Sequence, residues 1–222
     1  MRVLCRISIL LVMLAHSIVR AETFTYNFAG HITELILLHE MAEEEAVSES
    51  DLAGVTLRVG DKYTGTFTYD SDAPATRYGL STTSYAGALK SLSLNFSSSG
   101  LNYQVSAGSV LVHASEYLYE FALGAQNSPY WSSFYLSDLS AGHELSRDLP
   151  RGLSSFLDAP DITFGSYLGF NGPDGDALWI GNSVDSISAV DEPGATAMMI
   201  AGLGLMGLIA RRRRQRALVL MV

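Results

Sequence analysis

The chain has almost no cysteine, which excludes disulfide bonds as a means of stabilising it. Its one cysteine, Cys5, lies near the N-terminus. Cys5 does not follow small residues at a cleavage point, so a lipoprotein is not expected. A domain without disulfides must fold around a hydrophobic core of its own. Residues 22–190 are long enough to form such a core.

Basic residues are scarce in the same region. Only 6 of the 14 Lys and Arg lie in residues 22–190, against 21 of the 23 Asp and Glu. This part of the chain therefore carries a formal charge of about −15. Such an acidic surface repels phosphate backbones, so no nucleic acid is expected as a partner, and divalent cations suit it better.

Catalytic motifs are incomplete wherever the sequence comes near one. Gly165-Ser166-Tyr167-Leu168-Gly169 has its serine one place too early for a nucleophile elbow. His39-Glu40-Met41-Ala42-Glu43 lacks the second histidine of a zinc helix. No motif singles out a pair of carboxylates for glycoside hydrolysis, although a pair brought together by the fold is left open. We therefore expect no catalytic residues and a protein that is not an enzyme.

The N-terminus has the pattern of an export signal. Arg2 and Arg6 supply positive charge, residues 7–15 are a short apolar segment, and Val19-Arg20-Ala21 offers small residues at the cleavage positions. The apolar segment is too short to span a hydrocarbon core of about 30 Å. The sequence predicts a signal peptide over residues 1–21, cleaved after Ala21 by signal peptidase following passage through the secretory translocon.

The C-terminal region contains a second apolar segment. Residues 195–210, ATAMMIAGLGLMGLIA, carry no charge and include three glycines. Each glycine would cost a soluble helix about 1 kcal/mol relative to alanine, whereas membrane helices tolerate glycine better. The sequence predicts a transmembrane helix over 195–210. The arginine cluster over 211–216 stays cytoplasmic, so residues 22–190 face outward.

The order of features at this end resembles a known sorting signal. An acidic-proline pair precedes the short Gly/Leu-rich helix, and consecutive arginines follow it; the residues are Glu192, Pro193, Arg211, Arg212, Arg213 and Arg214. Together they resemble the PEP-CTERM signal of exported Gram-negative bacterial proteins. The resemblance implies that an exosortase, an intramembrane transpeptidase-like enzyme, releases or transfers the protein from the inner membrane to the cell envelope or exterior. Proteins of this kind commonly accompany exopolysaccharide production.

Two departures from the signal are visible. Asp191 stands where the family has its first proline, and residues 217–222 continue beyond the arginines. We expect the mature C-terminus near Glu192-Pro193. The expected segments are a signal peptide (1–21), an exported domain (22–190), a PEP-CTERM-like signal (191–216) and a short tail (217–222).

The exported domain alternates with a period of two. Phe24, Tyr26 and Phe28 alternate with small polar residues, and about ten segments between Gly, Asn, Ser and Pro turns share this pattern. The pattern predicts an all-β fold, an antiparallel β-sandwich of jelly-roll type. Residues 35–50 lack turn residues and are predicted to form a helix or a mobile acidic loop.

One turn and one aromatic pair contain the candidate binding residues. Asn171, Asp174 and Asp176 offer three oxygen ligands in a short turn, which suits Ca²⁺ as a candidate cofactor, although these residue types are also common in ordinary turns. Tyr130 and Trp131 lie in a predicted loop and are candidates for stacking on a sugar, the alternative being that they belong to the core.

These observations favour a structural or adhesive protein of the cell surface or extracellular matrix, associated with exopolysaccharide. A carbohydrate-binding module that depends on calcium is the first alternative, and a polysaccharide hydrolase is the second.

Overall fold

Alternation of large apolar and small polar residues gives extended strands through most of the molecule. The computed structural model describes residues 22–39, 44–51, 53–78, 80–139, 146–157, 162–172, 175–190 and 203–204. The chain divides into two compact units, Met1–Ala189 and Val190–Val222. The predicted signal peptide, the predicted C-terminal helix and the arginine cluster lie outside the described residues, apart from residues 203–204.

The strands of the described part are β1 (Thr23–Leu38), β2 (Glu44–Val47), β3 (Glu49–Ser50), β4 (Leu57–Arg58), β5 (Lys62–Asp70), β6 (Ala75–Tyr78), β7 (Thr82–Phe96), β8 (Leu101–Val105), β9 (Gly108–Ala114), β10 (Tyr119–Asn127), β11 (Tyr130–Asp138), β12 (Ile162–Asn171) and β13 (Ala177–Ala189). One short helix, α1 (Ser154–Leu157), precedes β12. Among these residues no helix is long and apolar enough to cross a membrane.

Eight of the described strands form one closed antiparallel sheet. Their order is β1-β5-β7-β9-β10-β11-β12-β13, and β13 pairs again with β1. The result is an antiparallel β-barrel, to which β2, β6 and β8 add short pairings, while β3 and β4 pair separately. The all-β, antiparallel class is confirmed. The two-sheet sandwich is not, because the strands run continuously around the core.

Closure depends on β1, which pairs with a different strand on each side. Residues 23–31 pair with β5, and residues 26–38 pair with β13 across two register shifts, the first between Ala29 and Gly30. A Cβ atom on Gly30 would lie 1.9 Å from the Ser183 carbonyl oxygen and 2.8 Å from the Tyr63 hydroxyl. Only glycine permits this approach at the bulge, where the strand bends to close the barrel.

Inward-facing aromatic rings fill the centre of the barrel. Phe134 lies 5.0 Å, centroid to centroid, from both Phe28 and Phe67, and these two are 5.9 Å apart. All three side chains are buried. A dry aromatic core of this size supplies the stability that the chain, without disulfides, needs.

Several polar side chains inside the barrel form hydrogen bonds, although Thr83 Oγ1 and Asn182 Oδ1 are buried without a partner among the described residues. The Tyr63 hydroxyl donates to the Ser183 carbonyl oxygen at 3.1 Å and lies 3.3 Å from Ser166 Oγ. Ser132 Oγ donates to the Tyr103 hydroxyl at 3.1 Å. Burial raises the pKa of Tyr63 to about 12, so this phenol stays neutral and able to donate.

The prediction for residues 35–50 is wrong where the structure describes them. Residues 35–38 continue β1, and residues 44–47 form β2 beside it. Leu35 faces the core opposite Ile180, whereas Ile36 faces outward opposite Trp179. Residues 35–38 are apolar at every position, so the alternation that identifies a half-exposed strand is absent from their sequence.

Replacement of Phe134 by alanine should destabilise the fold strongly. The change leaves a cavity between Phe28 and Phe67, and a buried Phe→Ala change costs about 3–5 kcal/mol. Urea unfolding of residues 22–190 measures the loss. Tyr117→Ala removes an aromatic ring that is 69% exposed, and should change the free energy of unfolding by less than about 0.5 kcal/mol. Equal losses in the two variants would contradict the aromatic core described above.

Candidate functional site

Large aromatic side chains lie together on the outside of the barrel. Trp131 and Tyr135 face outward from β11, Tyr167 from β12 and Trp179 from β13, and we call these four residues the aromatic face. Strand register brings them together, because Trp131 pairs with Gly169 and Gly169 with Trp179. They are all partly exposed, and the Trp179 side chain is the most open, at 40%.

The four rings form a continuous run. The Trp131 and Trp179 centroids are 5.4 Å apart with the rings nearly perpendicular, at 74°. Tyr167 lies 6.2 Å from Trp179 and stacks on Tyr135 at 5.6 Å and 19°. Such contacts contribute about 0.5–1.5 kcal/mol per pair beyond burial, so the rings hold one another in position.

Two glycines of β12 let the rings lie close to the backbone. A Cβ on Gly169 would fall 1.9 Å from Trp131 Cε2, and a Cβ on Gly165 would fall 2.4 Å from the Tyr135 hydroxyl oxygen. Glycine inside a strand weakens it and often marks a place where another group approaches closely. The approaching groups here are the indole of Trp131 and the phenol of Tyr135.

Two carboxylates flank the aromatic face. The Glu34 side chain covers Gly181, where an added Cβ would lie 2.6 Å from Glu34 Oε1, and Gly181 pairs with Tyr167. On the other side, Glu120 Oε2 accepts a hydrogen bond from Ser137 Oγ at 3.4 Å. The ion pairs formed by the described residues include neither Glu34 nor Glu120.

The pKa of Tyr135 is affected by these neighbouring groups. Its pKa is raised to about 12, first by burial, then by its hydrogen bond with Tyr167, and further by the negative charges of Glu120 and Glu34. Both carboxylates are therefore close enough to act electrostatically on the aromatic face. The face combines apolar rings with negative charge.

An open recess adjoins the aromatic face at Trp131. It has a volume of about 660 Å³, and apart from Trp131 it is lined mainly by small residues of β7, β9, β10 and β11: Ala86, Gly87, Gly108, Ser109, Gly124, Ala125, Gln126 and Ser132. Cavities of about 300–1,000 Å³ are typical of small-molecule sites, although those are usually more enclosed. Trp131 thus belongs both to the recess and to the aromatic face.

The predicted pair Tyr130 and Trp131 is divided between two sides of the sheet. Both residues begin strand β11 instead of lying in a loop, and successive side chains of a strand point in opposite directions. Tyr130 packs at 5.1 Å against Phe170 and at 6.0 Å against Tyr103, both residues of the core side. Only Trp131 contributes to the outer surface.

The sequence placed Tyr167 in a predicted strand over residues 162–170 but did not identify it as a binding residue. In the strand, Gly165, Tyr167 and Gly169 share the outer side, while Ser166 points inward to the Tyr63 hydroxyl. The signal that could have found Tyr167 is the alternation of glycine and tyrosine at a spacing of two, beside a strand that carries Trp131 and Tyr135.

The predicted calcium turn is only partly described, since Asp174 lies outside the described residues. Asp176 Oδ1 is bound to His39 Nδ1 at 3.2 Å, and His39 Nε2 lies 3.6 Å from Glu45 Oε2. Asn171 donates its backbone N–H to the Pro129 carbonyl oxygen. Among the described residues no group of three or more His, Cys, Asp or Glu could hold a metal ion. A calcium site at this turn stays a prediction.

The remaining predicted sites are the signal-peptide cleavage point at Ala21 and the sorting residues Glu192, Pro193 and Arg211–Arg214. They lie outside the described residues.

Comparison with known families nevertheless bears on the sorting residues. Residues 192–214 match the family described as the PEP-CTERM protein-sorting motif. No curated protein matches the chain.

Replacement of Gly169 by alanine should disturb the aromatic face. The new methyl group overlaps the Trp131 indole, which has to move away from Trp179, and overpacking of this kind costs about 1–3 kcal/mol. Near-ultraviolet circular dichroism and urea unfolding measure both effects. Gly124→Ala is the matched control, because its methyl group meets only Ser109 Oγ, at 3.5 Å. An unchanged tryptophan signal in the Gly169 variant would show that the Trp131 indole does not pack against Gly169 of β12.

The pKa of His39 should depend on Asp176. The hydrogen bond that His39 makes to the Asp176 carboxylate is the largest cause of its raised pKa, and Glu45 adds to it. A raised pKa in the folded state means that the pairing stabilises the fold below the ordinary histidine pKa, and that this contribution is lost as the pH rises through the raised value. NMR titration should show a lower pKa in Asp176→Asn. Asp185→Asn, which removes the partner of His31, should not change it.

The same titration tests the calcium prediction. Calcium bound to Asp176 would compete with His39 for the carboxylate and lower the histidine pKa. A titration of His39 that is identical with and without calcium would contradict a calcium site at this turn.

Proposed function

From the premise that this chain carries a PEP-CTERM protein-sorting motif and is an exosortase substrate, we propose that it is a surface or matrix protein with a structural or adhesive role in exopolysaccharide. It is exported by the signal peptide over residues 1–21 and held in the inner membrane by residues 195–210, with its arginines in the cytoplasm. Exosortase then cleaves near Glu192-Pro193 and passes residues 22–190 to the cell envelope or exterior.

The family match at residues 192–214 is the observation that carries this proposal. The end of the barrel supports it as well. The last strand, β13, ends at Ala189, so every strand of the closed sheet lies before the matched residues. Cleavage near Glu192-Pro193 would remove no strand from the sheet, and the released domain would keep its core.

A second candidate function is carbohydrate binding by the released domain. The aromatic face favours it, because a group of partly exposed aromatic rings on the outside of a domain is typical of a binding surface. This candidate also suits an exopolysaccharide as the partner. It needs no catalytic group, and we propose that the protein is not an enzyme.

Replacement of Pro193 by alanine should block processing and leave the protein in the membrane fraction. Intact-mass analysis of the cell envelope and medium measures this, since the processed wild-type chain should begin after Ala21 and end near Glu192-Pro193. Leu218→Ala, in the short tail that follows the signal (191–216), is the control and should be processed normally. A wild-type chain that reaches the surface and runs through Val222 would contradict the proposal.

A further inference from the structure

We propose that the aromatic face binds a polysaccharide that carries protonated amino sugars. The inference deepens the second candidate function above and rests on it. The argument has three steps: the shape and chemistry of the rings, the charge around them, and the recess into which the surface continues.

The rings offer apolar surface of the kind on which sugars stack. Trp131, Tyr167 and Trp179 are outward-facing and partly exposed, and they extend from β11 to β13, which at about 4.8 Å between strands is about 10 Å. Because the rings contact one another and Trp131 lies against Gly169, their positions are fixed before a ligand arrives. Binding of a ligand therefore costs little entropy for ordering these aromatic side chains.

The charge around the rings selects a cationic ligand. Glu34 and Glu120 lie on opposite sides of the aromatic face and take part in no ion pair with the described residues, in a domain whose formal charge is about −15. A uronic-acid polymer would be repelled. A protonated amine gains charge-assisted hydrogen bonds with the carboxylates and cation–π attraction to an indole, the strongest of the aromatic partners.

The recess extends the surface beyond one sugar ring. It adjoins Trp131, has a volume of about 660 Å³ and is lined mainly by Gly and Ala, which leave room for a ligand close to the backbone. A chain of sugars that stacks on Trp179 and Trp131 can continue into this recess. A polymer therefore uses more of the surface than a free monosaccharide does.

The test uses three probes of equal length with residues 22–190, which contain every described strand of the closed sheet. The probes are the hexamer of β-1,4-glucosamine, the hexamer of β-1,4-N-acetylglucosamine and cellohexaose, at slightly acidic pH where the amines are protonated. Titration calorimetry should show that the glucosamine hexamer binds at least about tenfold more tightly than the other two. Added salt should weaken its binding.

Two variants and one control locate the binding. Trp179→Ala should lose about tenfold or more in affinity for the glucosamine hexamer. Glu34→Gln, which leaves the rings in place, should reduce the preference for the glucosamine hexamer over the acetylated one. Tyr117→Ala, an exposed aromatic residue outside the aromatic face, should bind like the wild type. Near-ultraviolet circular dichroism checks that each variant is folded.

Several outcomes would overturn the inference. Equal binding of the three hexamers would make the face a neutral-sugar site, and binding that Trp179→Ala leaves unchanged would place the site elsewhere. If no probe binds while the protein still captures another protein through this face, the partner is a protein. The sorting proposal fails separately, by the intact mass of the processed chain, so a correctly processed protein that binds no hexamer overturns this inference alone.

Discussion

The pairing of β1 with β13 is the contact on which the rest of the structure depends. It joins the first strand of the exported domain to the last, and it turns a row of antiparallel strands into a closed barrel. Gly30 makes it possible, because a side chain there would collide with the Ser183 carbonyl group. Closure encloses the aromatic core and satisfies the backbone of both strands, so a domain without disulfides keeps its shape.

Closure also creates the outer surface. Once β1 lies beside β13, Glu34 is placed on Gly181, next to the rings of Tyr167 and Trp179. The carboxylate and the aromatic residues are far apart in the chain, and only the long-range pairing brings them together. The same pairing that protects the core therefore assembles the face that we propose for ligand binding.

The sequence predicted local features well and long-range ones poorly. Alternation identified the strands and put Tyr26 and Phe28 on one side of their strand, where both are buried, because a strand with one buried face shows its period directly. It did not identify β1 from Leu35 onward, where every residue is apolar and no alternation is visible, nor the pairing of the two ends of the domain. The sequence identified Trp131 as a candidate for stacking on a sugar. It did not show on which side of the sheet Trp131 lies, because that depends on the register of the strand. Tyr167 was missed because its contacts with Tyr135 and Trp179 also depend on the register of three strands.

The position of Trp179 has a mechanical consequence. Trp179 lies on β13, the strand whose C-terminal end continues into the sorting motif. β13 pairs with β12 over residues 177–183 and with β1 over residues 177–189. Before cleavage, a pull from a polymer stacked on Trp179 would pass along this one strand to the membrane anchor. Because both ends of that path lie on the backbone of β13, the force would pass through covalent bonds and would not have to separate β13 from its neighbouring strands.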